Sequence, residues 1–223
     1  MCSYFYYICS QNESGYMTTL TEIGNTPVDF AVLRSMFPSH KSVNNKISEL
    51  EKSGVLIRLK KGMYVVSPKE SGKLLSLELI ANHLYGPSYV SMESALRYFG
   101  LIPERVYANL SMTVKHSREF NNQLGRFIYT QCQKEYFPIG IRQEIHAETA
   151  FLIATPEKAL CDLIIHTPNL NLRFKKEILT YLEEFLRFDM DAFYQMDYRI
   201  FEQCAEVGKK KAAFKKIVKI LKP

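Results

Sequence analysis

The stretch SHKSVNNKISELEKSGVLIRLKKGMYVV, residues 39–66, decides the fold. Val43, Ile47 and Leu50 recur at spacings of four and three, which predicts a helix over about 41–53 with one buried face. Ser39 is placed to cap that helix, and Gly54 to end it in the left-handed conformation. Residues 55–59 then read as a strand, Lys60-Lys61-Gly62 as a turn and residues 63–66 as the returning strand.

Upstream, residues 17–24 form a short helical candidate. Phe30, Leu33, Met36 and Phe37 fall on one stripe of a second helix, which Pro38 stops. Helix, tight turn, helix and hairpin in this order are the grammar of a winged helix-turn-helix, whose second helix enters the DNA major groove. With Val43, Ile47 and Leu50 turned inward at 100° per residue, Lys41, Asn45, Ser48 and Lys52 point outward and Asn44 flanks them. Asparagine bonds adenine in two places, and serine and lysine suit base edges or phosphate. Lys60 and Lys61 occupy the wing tip, where a backbone phosphate is within reach. The competing reading is a winged helix used for protein contacts.

The polar run at 69–73 reads as a linker. The domains are therefore expected at 1–70 and 71–223. Beyond the linker, residues 74–84 and 91–100 read as helices, the second capped by Ser91. Residues 106–116, 126–137 and 141–154 read as strands or a hairpin. Thr155 as cap and Pro156 at the first helical position open a further helix. Helices are expected again at 174–188, 189–206 and 209–222. The predicted class is α+β, with a winged helix-turn-helix followed by a mixed domain of small sheet and helical C-terminal half.

The 223 residues carry a formal charge of +6, unevenly placed. Residues 208–223 hold seven lysines and no acid, and such an end attracts polyanions. In the last helix Phe214, Ile217, Val218 and Leu221 form an apolar stripe among these lysines. Three readings compete: DNA-backbone contact, a membrane-surface helix, or packing with a wet lysine face. The short stripe favours packing on the second domain, with Lys209, Lys210, Lys211 and Lys215 as additional phosphate contacts.

No apolar run approaches the ~20 residues of a membrane span. The N-terminus lacks a basic region, and the five cysteines at 2, 9, 132, 161 and 204 have no C-x-x-C spacing. The expectation is a cytoplasmic, reduced protein with no membrane partner and no disulfide framework.

Catalytic signatures are absent: no phosphate loop, no G-x-G-x-x-G, no H-E-x-x-H, no G-x-S-x-G and no E-x-K. The five histidines have no ligand spacing. Glu157 suits a helix N-terminus, and Lys158 with Asp162 reads as an i,i+4 pair. The hydroxyls of Ser88, Tyr89, Ser91 and Ser94 show no base beside them, so capping and turn formation account for them. Cys161 reads as a small core residue. We therefore expect no catalytic residues, no metal and no cofactor, and a chain that is not an enzyme. A nucleic-acid-modifying enzyme steered by the winged helix and an interaction scaffold remain the alternatives.

Three segments carry a family resemblance. They are the wing from Leu59 to Tyr64, the run GPSYVSMESAL at 86–96 followed by GLIPE at 100–104, and ATPEKALCD at 154–162. In this order they resemble AbiEi-type antitoxins, over about residues 17–190, with the second and third segments the specific ones. The resemblance implies the antitoxin half of a type IV toxin–antitoxin, or abortive-infection, system. It implies an autorepressor that binds inverted repeats in double-stranded operator DNA. It also implies a C-terminal domain that counters a nucleotidyltransferase-like toxin without needing to bind it. It carries over no catalytic residue.

Overall fold

Helix caps and turns set the layout of the chain in the computed structural model, which describes residues 20–38, 40–103, 107–146 and 149–222. The protein is mixed α+β and divides into two units.

The first unit comprises the described residues up to Leu84 together with Asn122–Leu124. Residues 20–23 are helical; the first three residues of the helix expected over 17–24 lie outside the described residues. β1 (Val28–Asp29) leads into α1 (Phe30–Met36), whose start is fixed by Asp29 Oδ1 accepting from the Val32 N–H at 2.9 Å. Phe37 closes the helix ahead of Pro38, because the residue before a proline disfavours the helical conformation.

α2 (Val43–Lys52) begins two residues later than the apolar spacing predicts. Its N-cap position is Ser42, which makes no side-chain capping bond, and Ser39 lies outside the described residues. Its end follows the sequence. Gly54 sits at φ 78°, its N–H bonds the Glu51 carbonyl at 3.2 Å, and the Val55 N–H reaches back to Leu50 at 2.9 Å. That pair of bonds is a Schellman motif, completed by Leu50 and Val55 in the same core cluster. Nothing stands within 4 Å of a Cβ added at Gly54, so Gly54→Ala tests the backbone alone. It is expected to lower stability by about 1–2 kcal/mol, read as a shift in the urea midpoint.

β2 (Leu56–Lys60) and β3 (Met63–Val66) form the antiparallel hairpin, and β1 adds to β3 to give a three-stranded sheet in the order β1-β3-β2. The register pairs Leu56 with Val66 and Arg58 with Tyr64, then shifts between Arg58 and Lys60. The turn closes on Gly62 at φ 76°, whose carbonyl accepts from the Phe30 N–H at 2.8 Å. Leu33, Phe37, Ile47, Leu50, Leu56, Tyr64 and Val66 meet in the core of this unit.

The boundary differs from the expectation. The run at 69–73 is not a linker: α3 (Pro68–Ser71) occupies most of it and ends on Gly72 at φ 67°. The helix after it, α4 (Leu77–Leu84), belongs to the first unit rather than the second. Two bonds hold this segment there: Asn25 Nδ2 donates to the Leu74 carbonyl at 2.8 Å and Lys60 Nζ to the Leu84 carbonyl at 2.5 Å.

The second unit is built on a six-stranded sheet. Its strands are β4 (Ser88–Val90), β5 (Ala108–Thr113), β6 (Arg118–Asn122), β7 (Gly125–Gln131), β8 (Ile141–His146) and β9 (Thr149–Ala154), in the order β6-β7-β5-β4-β9-β8. β5 runs parallel to β7 and β4 parallel to β9, while β4–β5 and β8–β9 are antiparallel. The strand expected over 106–116 is shorter, and Val106 lies outside the described residues. The strand expected over 126–137 stops at Gln131, and turns fill 134–140. β6 has one apolar residue, Phe120, and so carries no alternation to announce it.

α5 (Met92–Tyr98) follows β4, and α6 (Pro156–His166) follows β9 with Thr155 Oγ1 accepting from the Lys158 N–H at 3.3 Å. α7 (Lys175–Thr180) runs into a π-helical turn, Tyr181–Phe185. The single helix expected over 189–206 is two, α8 (Met190–Tyr194) and α9 (Tyr198–Val207). Asp189 and Asp197 each cap a new start: Asp189 Oδ1 accepts from the Ala192 N–H at 3.1 Å and Asp197 Oδ1 from the Arg199 N–H at 2.9 Å. α10 (Lys211–Leu221) lies against α9 and buries Ala213, Phe214, Ile217 and Val218, the packing that its stripe predicts. Among the described residues no helix is long and apolar enough to cross a membrane.

Candidate nucleic-acid interface

α2 has the two faces that its spacing dictates. Ile47 and Leu50 are 2% and 7% exposed, and Val43 is half-buried. On the opposite side Asn44, Asn45, Ser48 and Lys52 are all exposed. These four share one helix surface, three amide or hydroxyl groups with a cation after them.

The remaining cations are arranged differently from the expectation. Lys41 precedes α2 and lies in the turn, so it is not on the outward helix face. It lines a cavity of about 460 Å³ with Arg34, His40, Ser42 and Asn44, floored by Phe30 and Phe37. Arg34, exposed in the last turn of α1, is a cation at this turn that sequence reasoning passed over. His40 stands edge-on to Phe37 at 5.8 Å. Helix acids are partly matched: Lys46 lies 3.5 Å from Glu49, and Arg58 lies 4.0 Å from Glu51.

At the hairpin tip the two lysines separate. Lys61 is exposed. Lys60 is half-buried and gives its ammonium to the Leu84 carbonyl, so it does not stand ready for a phosphate.

The C-terminal lysines separate too. Lys210 turns inward, at a φ of 55° that lysine rarely adopts, and donates to the carbonyls of Ile164 at 2.7 Å and Thr167 at 3.1 Å. It thereby satisfies the C-terminal end of α6, and burial lowers its pKa. Lys211 donates to the Glu206 carbonyl at 2.7 Å near the end of α9. Lys222 pairs with Glu202 at 2.7 Å and covers the Tyr198 ring at 4.9 Å. Lys209, Lys215, Lys216 and Lys219 are exposed. Of the four lysines expected at phosphate, Lys210 is therefore a helix cap, and Lys211 is anchored at its tip.

A second polar constellation lies in the second unit, and it is closed. Lys158 and Asp162 are both 0% exposed, with Nζ 3.5 Å from Oδ1. Asp162 Oδ2 accepts from Ser91 Oγ at 2.6 Å and from the Tyr89 hydroxyl at 3.1 Å, and Oδ1 accepts from the Tyr136 hydroxyl at 2.7 Å. Lys158 Nζ donates to the Tyr136 carbonyl at 2.9 Å and lies 3.0 Å from the centroid of its ring. The i,i+4 pairing follows the sequence, and the pair is wholly buried. Ser91, placed by sequence to cap α5, makes no side-chain capping bond and serves Asp162 instead. The signal available in sequence was the company Lys158 and Asp162 keep: Ala159, Leu160, Cys161, Leu163 and Ile164 leave that helix few other polar groups.

Burial, then the Asp162 charge, raises the Tyr89 and Tyr136 pKa values well above their ordinary range. Burial likewise pushes the half-buried Cys132 thiol up to about 11 and raises Cys161. Cys204 is lowered, first by its hydrogen bond to Cys161. Every oxygen of Asp162 is engaged and no face is open to a substrate, so the node joins β4, α6 and the segment around Tyr136. Beside it, a cavity of about 290 Å³ is lined by Gln131, Cys132, Gln133, Tyr136, Ile165, His166, Gly208 and Lys209. Among the described residues no three His, Cys, Asp or Glu side chains gather as a metal site. Comparison of the chain with protein-family models and with curated proteins returns no match.

Proposed function

We propose that the chain is a DNA-binding transcriptional autorepressor and the antitoxin of a type IV toxin–antitoxin pair, acting by binding rather than by catalysis. Its first unit is read as a winged helix-turn-helix that sets α2 in the major groove of operator DNA carrying inverted repeats. The observation that carries this reading is the exposed Asn44, Asn45, Ser48 and Lys52 surface opposite the buried Ile47 and Leu50. Two asparagines and a serine on one helix face can read base edges, and a lysine beyond them suits phosphate. The link to a nucleotidyltransferase-like toxin rests on the resemblance of the segments at 86–104 and 154–162. Those segments supply Tyr89, Ser91, Lys158 and Asp162 to the buried node.

The deciding experiment is binding of the purified protein to its own upstream DNA and to a scrambled duplex, titrated in salt. Preference for the upstream sequence at physiological salt is expected. Equal, steeply salt-dependent binding to both duplexes would overturn the repressor reading. The two tip lysines give a finer test. Lys61→Ala is expected to flatten the log–log salt slope by roughly one unit. Lys60→Ala is expected to leave the slope unchanged and to lower thermal stability, since its ammonium serves Leu84.

A further inference from the structure

We infer that β8 is a self-association edge, to which a second copy of this chain adds its own β8 antiparallel. β8 is the last strand of its sheet, so one side of its backbone has no strand neighbour within that sheet. Its register with β9 places Ile141, Gln143 and Ile145 on the face of Ala154, Leu152 and Ala150, with Arg142, Glu144 and His146 on the other. Ile145 is 72% exposed and Leu152 40%, an apolar step at an open edge.

The strand is complementary to itself. Directly opposed residues of an antiparallel pair lie on one face, so a two-fold axis normal to the sheet must stand beside a single residue. Centred on Arg142, the pairing sets Arg142 against itself. Centred on Glu144, it sets Glu144 against itself and Arg142 against His146. Centred on Gln143, it sets Arg142 opposite Glu144 twice, Ile141 opposite Ile145 twice, and the Gln143 amide opposite its own copy. Opposite charges facing across strands stabilise a pair and like charges oppose it, so of these three the Gln143 register, which alone opposes Arg142 to Glu144, is favoured. Arg142 and Glu144 already touch along one strand. Pairing two copies therefore closes a square of alternating charge.

The other open edge lacks this property. Centred on Phe120, β6 sets Glu119 against Asn121 and Arg118 against Asn122, and Glu119 is already held by Arg126 at 2.6 and 2.8 Å. Six residues a side fall well short of the roughly 20–30 of a standard specific interface, so the dimer is expected to be weak and reversible. This association is measured without DNA and stands apart from the repressor reading.

Sedimentation equilibrium of the full chain, from about 1 to about 300 µM, is expected to show a monomer–dimer equilibrium. Arg142→Glu sets like charges opposite each other twice and is expected to raise the dissociation constant about tenfold or more. The exchange Arg142→Glu with Glu144→Arg restores opposite pairs and is expected to return the constant to within about threefold of the parent. Gln143→Cys places two sulfurs across the axis, so mild oxidation is expected to yield a disulfide-linked dimer beyond any background from the parent chain. Ile145→Cys, which faces Ile141, is expected to yield no such excess. Circular dichroism of each variant reports that the fold is kept. A chain that stays monomeric throughout the range overturns the inference. So does a dimer insensitive to Arg142→Glu, or an exchanged variant that stays as weak as the single one.

Discussion

Asp162→Ala is expected to lower the unfolding free energy by about 3–5 kcal/mol, because it strands a wholly buried ammonium and removes the acceptor of three hydroxyls. Lys158→Met should be milder by at least about 1 kcal/mol. It leaves the carboxylate with its donors from Tyr89, Ser91 and Tyr136 and fills most of the lysine volume. Urea unfolding followed by tyrosine fluorescence measures both, since the chain has fourteen tyrosines and no tryptophan. Equal losses would show that the hydroxyls do little to hold the carboxylate. The same node predicts alkaline sensitivity. Tyr89 and Tyr136 have raised folded-state pKa values, so their contribution is intact below about 10, where the unfolded phenols ionise, and is lost as pH climbs toward the folded values. Each such tyrosine should remove about 1.4 kcal/mol per pH unit in that window.

The second large effect concerns α2. Asn44, Asn45 and Ser48 changed together to alanine should weaken binding to the chain's own upstream DNA by about 100-fold or more, at roughly 1–3 kcal/mol for each good base contact. Affinity for a scrambled duplex should change little, because the exposed lysines stay in place. Stability should hold within about 0.5 kcal/mol, since all three residues are exposed. An electrophoretic or anisotropy titration against both duplexes separates the outcomes. Parallel loss on both would mean that the face contacts backbone only. Unchanged affinity would remove α2 from the interface.

Where the determinants are local, the residues announce the structure. The spacing of Val43, Ile47 and Leu50, with Gly54 after them, places α2 and its Schellman ending. Thr155 with Pro156 likewise places the start of α6. Legibility fails where the partner is remote. Lys60 looks like a tip cation until Leu84, 24 residues on, supplies its carbonyl. A run of lysines at 209–211 reads as charge alone, yet two of its amines turn back on carbonyls at the ends of α6 and α9. Lys158 and Asp162 declare their pairing through i,i+4 spacing, but not that Tyr89, Ser91 and Tyr136 converge on them from other parts of the chain. Lys41 fails for a smaller reason: the apolar pattern sets the face of α2 but not which residue starts it.

The node also imposes an order on synthesis. The core cluster of the first unit is complete when Val66 has left the ribosome. Tyr89 and Ser91 must then wait 73 and 71 residues for Asp162. At roughly 5–20 residues per second that is a delay of several seconds. For most of that interval β4 lacks its parallel neighbour β9, and throughout it the Tyr89 and Ser91 hydroxyls lack their acceptor. The nascent chain therefore carries a complete N-terminal core cluster ahead of an unfinished sheet, and the second unit closes only after α6 emerges.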